Sequence, residues 1–304
     1  RDAWLIAVPS QHFNLTNHGS DGIFITTPRV SEQQATLSIH GEIKNDAREK
    51  AALELVHSIY HPDGTLLQTQ KQFIQLKAGE TRNFDSNISP ILQPLLWTPE
   101  TPYLYRVETT LFNCKTKSIV DQSNHHTGFR WFHFESNKGF YLNGKPYKLR
   151  GICRHQDQKP IGVALTDEMH RRDMKLMKEM GANFIRISHY PQDDAIIEMC
   201  DKLGMLAWEE IPVIDIVPDT PGYGDNCERS LREMIRQHYN HPSIIIWSNG
   251  NEGGWNYQLD KLFAQYDKLQ KRHVVHPWAD FNDLDTHHYP AYLTGVARFT
   301  NGYK

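Results

Sequence analysis

Cysteine is scarce in this chain. Cys114, Cys153, Cys200 and Cys227 are scattered and form no C-x-x-C pair, so neither a disulfide framework nor a cysteine zinc site is indicated. Basic runs are missing, and the formal net charge of -3 excludes the electrostatic footprint of a nucleic-acid surface. No apolar segment reaches the roughly 20 residues of a membrane-spanning helix, so no membrane partner is expected. The chain opens with Arg1 and has no signal-like apolar core. Its true start is therefore expected to lie elsewhere, which leaves periplasmic, secreted and cytoplasmic locations open. The sequons at Asn14 and Asn87 are short enough to arise by chance.

Residues 22–130 have a period of two. Ala35, Leu37, Ile39, Gly41 and Ile43 alternate with Thr36, Ser38, His40 and Glu42, which gives one apolar and one polar face. Leu53 and Leu55 continue the pattern before His61-Pro-Asp-Gly64, a strong turn signal. Tyr103, Tyr105, Val107, Thr109 and Leu111 line one face of a later strand. Short alternating strands with such punctuation predict an antiparallel β-sandwich over 22–130. Residues 1–21 are expected to be the tail of a preceding domain or a linker.

From residue 131 to 304 the pattern changes to strands alternating with helices. A hairpin with Asn143-Gly144 at its tip precedes a strand over Tyr147–Cys153. A helix with Leu176, Met177 and Met180 on one face then stops at Gly181. Phe184–Ile187, Met205–Trp208 and Ile244–Trp247 are further strands. The helices between them carry Ile196, Ile197, Cys200 and Leu203, then Leu231, Met234, Ile235 and His238. A fourth helix carries Leu259, Leu262, Phe263 and Tyr266. Val274-Val275 and the approach to His287-His-Tyr289 are candidates for strands five and six. Such units imply a parallel sheet with right-handed crossovers. An open doubly wound sheet fits as well, but no G-x-G-x-x-G or P-loop follows the first strand. Polar and aromatic residues after every strand favour a (β/α)8 TIM barrel, which is incomplete because eight strands are needed.

The strand ends carry the chemistry. They bring Arg154, His155 and Asp157; Arg186 and His189; Glu209 and Glu210; Asn251 and Glu252; Trp278 and Asp280; and His287, His288 and Tyr289 to one mouth. Carboxylates, imidazoles and indoles there suit a sugar ring, with hydroxyls at its rim and C–H faces for the aromatics. Glu252, at the end of a strand apolar on both faces, suits protonation of a leaving group; its structural alternative is a helix-capping glutamate. Arg186 lies inside its strand, where pairing with a carboxylate competes with substrate contact. Glu209 and Glu210 point to opposite sides, so at most one faces the pocket, and Glu210 is the better choice. Seventeen histidines raise a rival, a metal-dependent barrel hydrolase. No H-x-H follows the first strand, and His287 and His288 diverge as neighbours, so no metal site is assigned.

Several motifs together resemble glycoside hydrolase family 2, its β-galactosidase branch most of all. They are Gly128-Phe-Arg130, Asn143-Gly-Lys-Pro146, Arg150-Gly-Ile-Cys-Arg-His-Gln-Asp157, Arg186-Ile-Ser-His-Tyr-Pro191, Asn240-His-Pro-Ser-Ile244 and Trp247-Ser-Asn-Gly-Asn-Glu252. Leu96-Trp-Thr-Pro-Glu-Thr-Pro-Tyr-Leu-Tyr105 adds to them. The resemblance implies the end of a jelly roll at 1–21, an immunoglobulin-like sandwich at 22–130 and a catalytic barrel from 131. It implies a retaining exo-β-glycosidase, a β-galactosidase first, with β-glucuronidase or β-mannosidase specificity, or a non-catalytic carbohydrate-binding relative, as alternatives. By motif position Glu252 corresponds to the general acid/base and Asn251 to the amide on the sugar 2-hydroxyl. His155 and His189 match histidines on the galactosyl hydroxyls, and Tyr289 a tyrosine beside the nucleophile. Asp157, Arg186 and Trp278 complete the expected substrate-binding set. The resemblance allows magnesium as a cofactor, yet the acid and histidine that hold it in some members find no match after Trp208-Glu-Glu-Ile-Pro212. It is also compatible with a homo-oligomeric full-length protein. One departure stands inside the motif of Glu252, where Asn249 replaces the common hydrophobic residue before Gly-Asn-Glu.

A retaining enzyme needs a second carboxylate, which the resemblance places on the seventh barrel strand. The carboxylates after Glu252 are Asp260, Asp267, Asp280, Asp283 and Asp285, and none has that address. The nucleophile is therefore expected beyond residue 304, and residues 1–304 alone are expected to be inactive.

Overall fold

The computed structural model describes residues 3, 5–136, 138–252, 257–270, 272–276 and 284. The chain divides into two compact units. The first takes residues up to Trp97, with 101–129 and 235–242; the second takes 98–100, 130–234 and the chain from Ser243 onward.

The first unit is an antiparallel sandwich. Its strands are β1 (Gln11–Phe13), β2 (Ile23–Thr26), β3 (Gln34–Asn45), β4 (Ala51–Tyr60), β5 (Leu66–Leu76), β6 (Thr81–Leu92), β7 (Tyr105–Asn113) and β8 (Ile119–Thr127). β3 pairs with β1, β2 and β6 in one sheet, and the other runs β5-β4-β7-β8. The expected alternation on β3 holds: Ala35, Leu37, Ile39 and Ile43 are buried. They join Leu53, Leu55, Ile59, Val107 and Leu111 in one core. Each leucine, isoleucine or valine among them contributes roughly 1.5–3 kcal/mol on leaving water. Gly41 sits in β3 because a Cβ there would lie 2.2 Å from the carbonyl oxygen of Gly22, so the approach of the chain at the start of β2 requires glycine.

Two details of this unit depart from expectation. Gln11–Phe13, placed before the sandwich by sequence pattern, adds a strand to its sheet, with Phe13 buried opposite Ile43. Three residues are too few to show a period. Tyr103, expected on the buried face of β7, precedes that strand and is exposed. A turn closed by Tyr103 N–H on the Thr101 carbonyl, with Pro102 unable to donate, delays the ladder to Tyr105. Inside the core, His57 is fully buried, with Nδ1 at 3.0 Å from Thr109 Oγ1 and Nε2 at 3.0 Å from Ser86 Oγ. Burial lowers its pKa to about 4.

The second unit opens with β9 (Phe132–Glu135), β10 (Gly139–Leu142) and β11 (Lys145–Pro146). Asn143 and Gly144 have φ of 50° and 77° between the last two, as an Asn-Gly type I′ turn demands. There follow β12 (Gly151–Arg154), α1 (Asp167–Glu179), β13 (Phe184–Ile187), α2 (Asp194–Leu203), β14 (Leu206–Glu210) and α3 (Tyr223–Gln237). β15 (Ile244–Ser248), a 3₁₀ turn (Tyr257–Leu259), α4 (Asp260–Tyr266) and β16 (His273–Val275) complete the series. The five strands from β12 to β16 are parallel and lie in chain order. Every residue of β15 is buried, as expected for a strand covered on both faces. The architecture is an immunoglobulin-like sandwich followed by the leading part of a (β/α)8 barrel.

β12 is shorter than the stretch expected from Tyr147. The Asn183 side chain takes its place in the ladder, donating to Lys148 O and accepting from Arg150 N. The helix ends follow local chemistry. Thr166 caps α1 by accepting from Met169 N, and α2 stops at Gly204 in the left-handed conformation. The face of α1 differs from expectation: Leu176 and Met180 are exposed, and His170 and Met174 are the buried residues. Positions 170, 174 and 177 make one stripe at helical spacing, whereas 176 lies about 200° around the helix from 174. The sixth strand expected near His287-His-Tyr289 lies outside the described residues, as do Trp278 and Asp280.

Candidate active site

Side chains alternate along parallel strands, and the register here puts Arg186, Trp208, Glu210 and Ser248 on one side of the sheet. Arg154, Ile187, Glu209 and Trp247 occupy the other. On the first side Glu210, fully buried, collects donors from three strand ends. Its oxygens accept from Arg186 Nη2 at 2.8 and 3.0 Å, from Arg186 Nε at 3.2 Å, from Ser248 Oγ at 2.7 Å and from Trp208 Nε1 at 3.2 Å. His189 Nδ1 lies 2.8 Å from Glu210 Oε1. A carboxylate only accepts, so His189 donates to it from Nδ1. The Arg186 guanidinium also lies 4.8 Å from the Trp208 ring centroid.

Arg186 Nη2 donates to Asn251 Oδ1 at 2.7 Å. That bond turns the Asn251 amide nitrogen, a donor, away from the arginine. The Asn251 backbone is fixed as well, its N–H on Val213 O at 2.7 Å and its carbonyl accepting from Asp215 N at 3.1 Å. Glu252 follows directly, half-buried, with φ of +42°. Non-glycine residues in that region cost of order 1–3 kcal/mol and persist where their surroundings hold them.

Arg186 is thus a strut and a site wall together: it pairs with Glu210 and orients Asn251. His189 joins the same cluster. His155 is exposed, its ring 5.0 Å from that of His189 and 6.3 Å from that of Tyr190. Asp157 is exposed three residues beyond β12. Arg154, grouped by sequence with these strand-end residues, turns to the helix side and binds Gln192, His170 and Asp173 at 2.6–3.0 Å. The reason is parity, since Arg154 pairs with Ile187 across the sheet and shares its face. Tyr289 and Trp278 lie outside the described residues. Sequence reasoning passed over Trp208 and Ser248 as partners of Glu210. The two-residue spacing of Trp208 and Glu210 carried that signal.

The cluster does not fit a divalent cation. The Arg186 guanidinium already holds both Glu210 oxygens, and no grouping of three histidine, cysteine or acidic side chains able to ligate occurs among the described residues. An apolar cavity of about 730 Å³, lined by Phe134, Phe140, Tyr147, Phe184, Ile246 and Val275, is built from the hairpin and the inner sheet face. Apart from Trp208 it involves none of the polar cluster.

Five parallel strands with a buried acid, an arginine, a histidine and an Asn-Glu pair at their C-terminal ends have the layout of the active face of an α/β barrel. Residues 135–293 match the family description "Glycosyl hydrolases family 2, TIM barrel domain" and residues 21–130 match "Glycosyl hydrolases family 2". The chain belongs to glycosyl hydrolases family 2. It is similar to the structure of Bacteroides uniformis β-glucuronidase 2 covalently bound to cyclophellitol-6-carboxylate aziridine. That likeness has 61% identity and a TM-score of 0.91, over 97% of this chain and 39% of that one. A β-glucuronidase of Bacteroides fragilis is 34% identical over 83% of this chain and 37% of its own length. A β-galactosidase of Bacteroides ovatus is 30% identical over 83% and 29%. The chain spans less than half the length of each of these relatives.

Proposed function

We propose that the protein is a retaining exo-β-glycosidase whose substrates are β-glucuronides, with Glu252 as general acid/base. The observation that carries the reading is the placement of Asn251-Glu252 at the end of β15, beside the Arg186–Glu210–His189 cluster. In the first half-reaction Glu252 gives its proton to the glycosidic oxygen as a second carboxylate attacks the anomeric carbon. In the second it takes a proton from the water that cleaves the covalent glycosyl–enzyme. Asn251 presents an amide donor to the sugar 2-hydroxyl, and His189 offers Nε2 to another hydroxyl. The family resemblance puts the nucleophile on the seventh barrel strand, and the described residues reach the fifth.

Similarity to the B. uniformis enzyme supports glucuronides. The match of His155 and His189 to histidines on galactosyl hydroxyls, and the likeness to the B. ovatus enzyme, favour β-galactosides as the second reading. The acid/base role has its own test in the full-length protein. Glu252→Gln is expected to lower kcat/KM about 10²–10⁴-fold on an alkyl glycoside, the span of general acid–base catalysis. On a dinitrophenyl glycoside, whose leaving group needs little protonation, glycosylation is expected to slow far less. Equal loss on both substrates rules out the acid role.

A further inference from the structure

We propose that Asn249, Asp260 and His276 form a clasp that positions Glu252, a role that rests on the acid/base reading above. The starting point is Asn249, an amide where the family motif has a hydrophobic residue. It is almost fully buried, so its side chain needs polar partners. It finds one in Asp260, whose Oδ1 accepts from Asn249 Nδ2 at 2.9 Å. The fully buried His276 places Nε2 2.5 Å from the same oxygen. Asn249 Nδ2 and His276 Nε2 stand 3.5 Å apart, as two donors sharing one acceptor do. The backbone adds a third tie, Asn249 N–H to Val275 O at 2.9 Å.

These residues stand one position past β15, at the first residue of α4 and one position past β16. Asn249 and Asp260 are 11 positions apart, and the chain between them carries Glu252. The hydrogen bond therefore closes the base of the segment bearing the acid. His276 locks that closure to the neighbouring strand. One feature within the segment needs an external hold: Glu252, not a glycine, has φ of 42°. A hydrophobic residue at 249 fills space but cannot bind the start of α4. In this chain the orientation of the acid is set by a charged hydrogen bond.

None of the three is assigned contact with substrate, so they are positioning residues. Asp260→Asn keeps the shape and removes the shared charge. In the full-length enzyme it is expected to lower kcat/KM on an alkyl β-glycoside about 10–100-fold, the scale of a misplaced group. The expected loss in kcat/KM is under about threefold on the dinitrophenyl glycoside, whose departure needs little protonation. Asn249→Leu, which leaves the Asp260–His276 pair in place, is expected to show the same split more weakly and serves where Asp260→Asn fails to fold. A uniform loss on both substrates, or no loss in either variant, overturns the clasp. Glu252→Gln run beside them separates the two readings. If it shows the leaving-group split and the clasp variants do not, only the clasp falls. If it shows none, the acid/base role falls and takes the clasp with it.

Discussion

His57 shows what one buried residue does to the whole energy balance. It is neutral in the core with a pKa near 4, whereas an unfolded histidine titrates near 6.5. As pH falls from 6.5 to 4 the unfolded chain binds a proton that the folded chain refuses, so stability declines across that window and is complete above it. The decline is on the order of 3 kcal/mol. Replacement His57→Gln keeps hydrogen-bonding groups toward Thr109 and Ser86 and removes the titration. Urea midpoints at pH 7.5 and 4.5 are expected to show a wild-type advantage that shrinks at the lower pH. A gap constant with pH contradicts a neutral buried imidazole. The same scale explains what was legible in the site. An acid closing an apolar strand marks Glu252 in sequence. Which of Glu209 and Glu210 meets Arg186 depends on sheet register, and Asn249 gains meaning only when Asp260 and His276 are brought beside it.

At the scale of the element, pattern and structure agree where one face alone is buried. β3 alternates along its length, α2 packs Ile196, Ile197 and Cys200, and Gly204 ends it. They part where the pattern is short or doubled. β1 has three residues, and α1 carries two apolar stripes of which the one through Met174 is buried. Methionine and leucine read alike to a periodicity, and only the packing of α1 chooses between them. Met174→Ala is therefore expected to cost 2–5 kcal/mol, as large-to-small core changes do. Leu176→Ala, with its side chain about half exposed, is expected to stay within about 0.5 kcal/mol. Equal losses in denaturant unfolding contradict the observed face.

At the scale of the molecule, the fold class was legible because period two gives way to alternating strands and helices near residue 131. Sugar identity was not, since sugar-binding strand ends serve several epimers with the same residue types. The discriminating experiment is a panel of p-nitrophenyl β-glucuronide, β-galactoside, β-glucoside and β-mannoside with the full-length protein. The glucuronide is expected to lead in kcat/KM by about 10²-fold or more, because a site built to bind a polar group rejects sugars that lack it. A lead for the galactoside hands the substrate to the second reading and leaves Glu252 in its role.

The order of strands in the parallel sheet has a consequence for biosynthesis. β12 to β16 are neighbours in space in the order in which they are neighbours in sequence. Each strand emerging from a ribosome can dock on the one completed just before it, once the helix between them has formed. The sandwich does this only in part: β2–β3, β4–β5 and β7–β8 pair as neighbours, but β3 must wait for β6 and β4 for β7. During translation the sandwich's two sheets are therefore completed only after β6 and β7 have emerged, whereas the parallel sheet accumulates strand by strand.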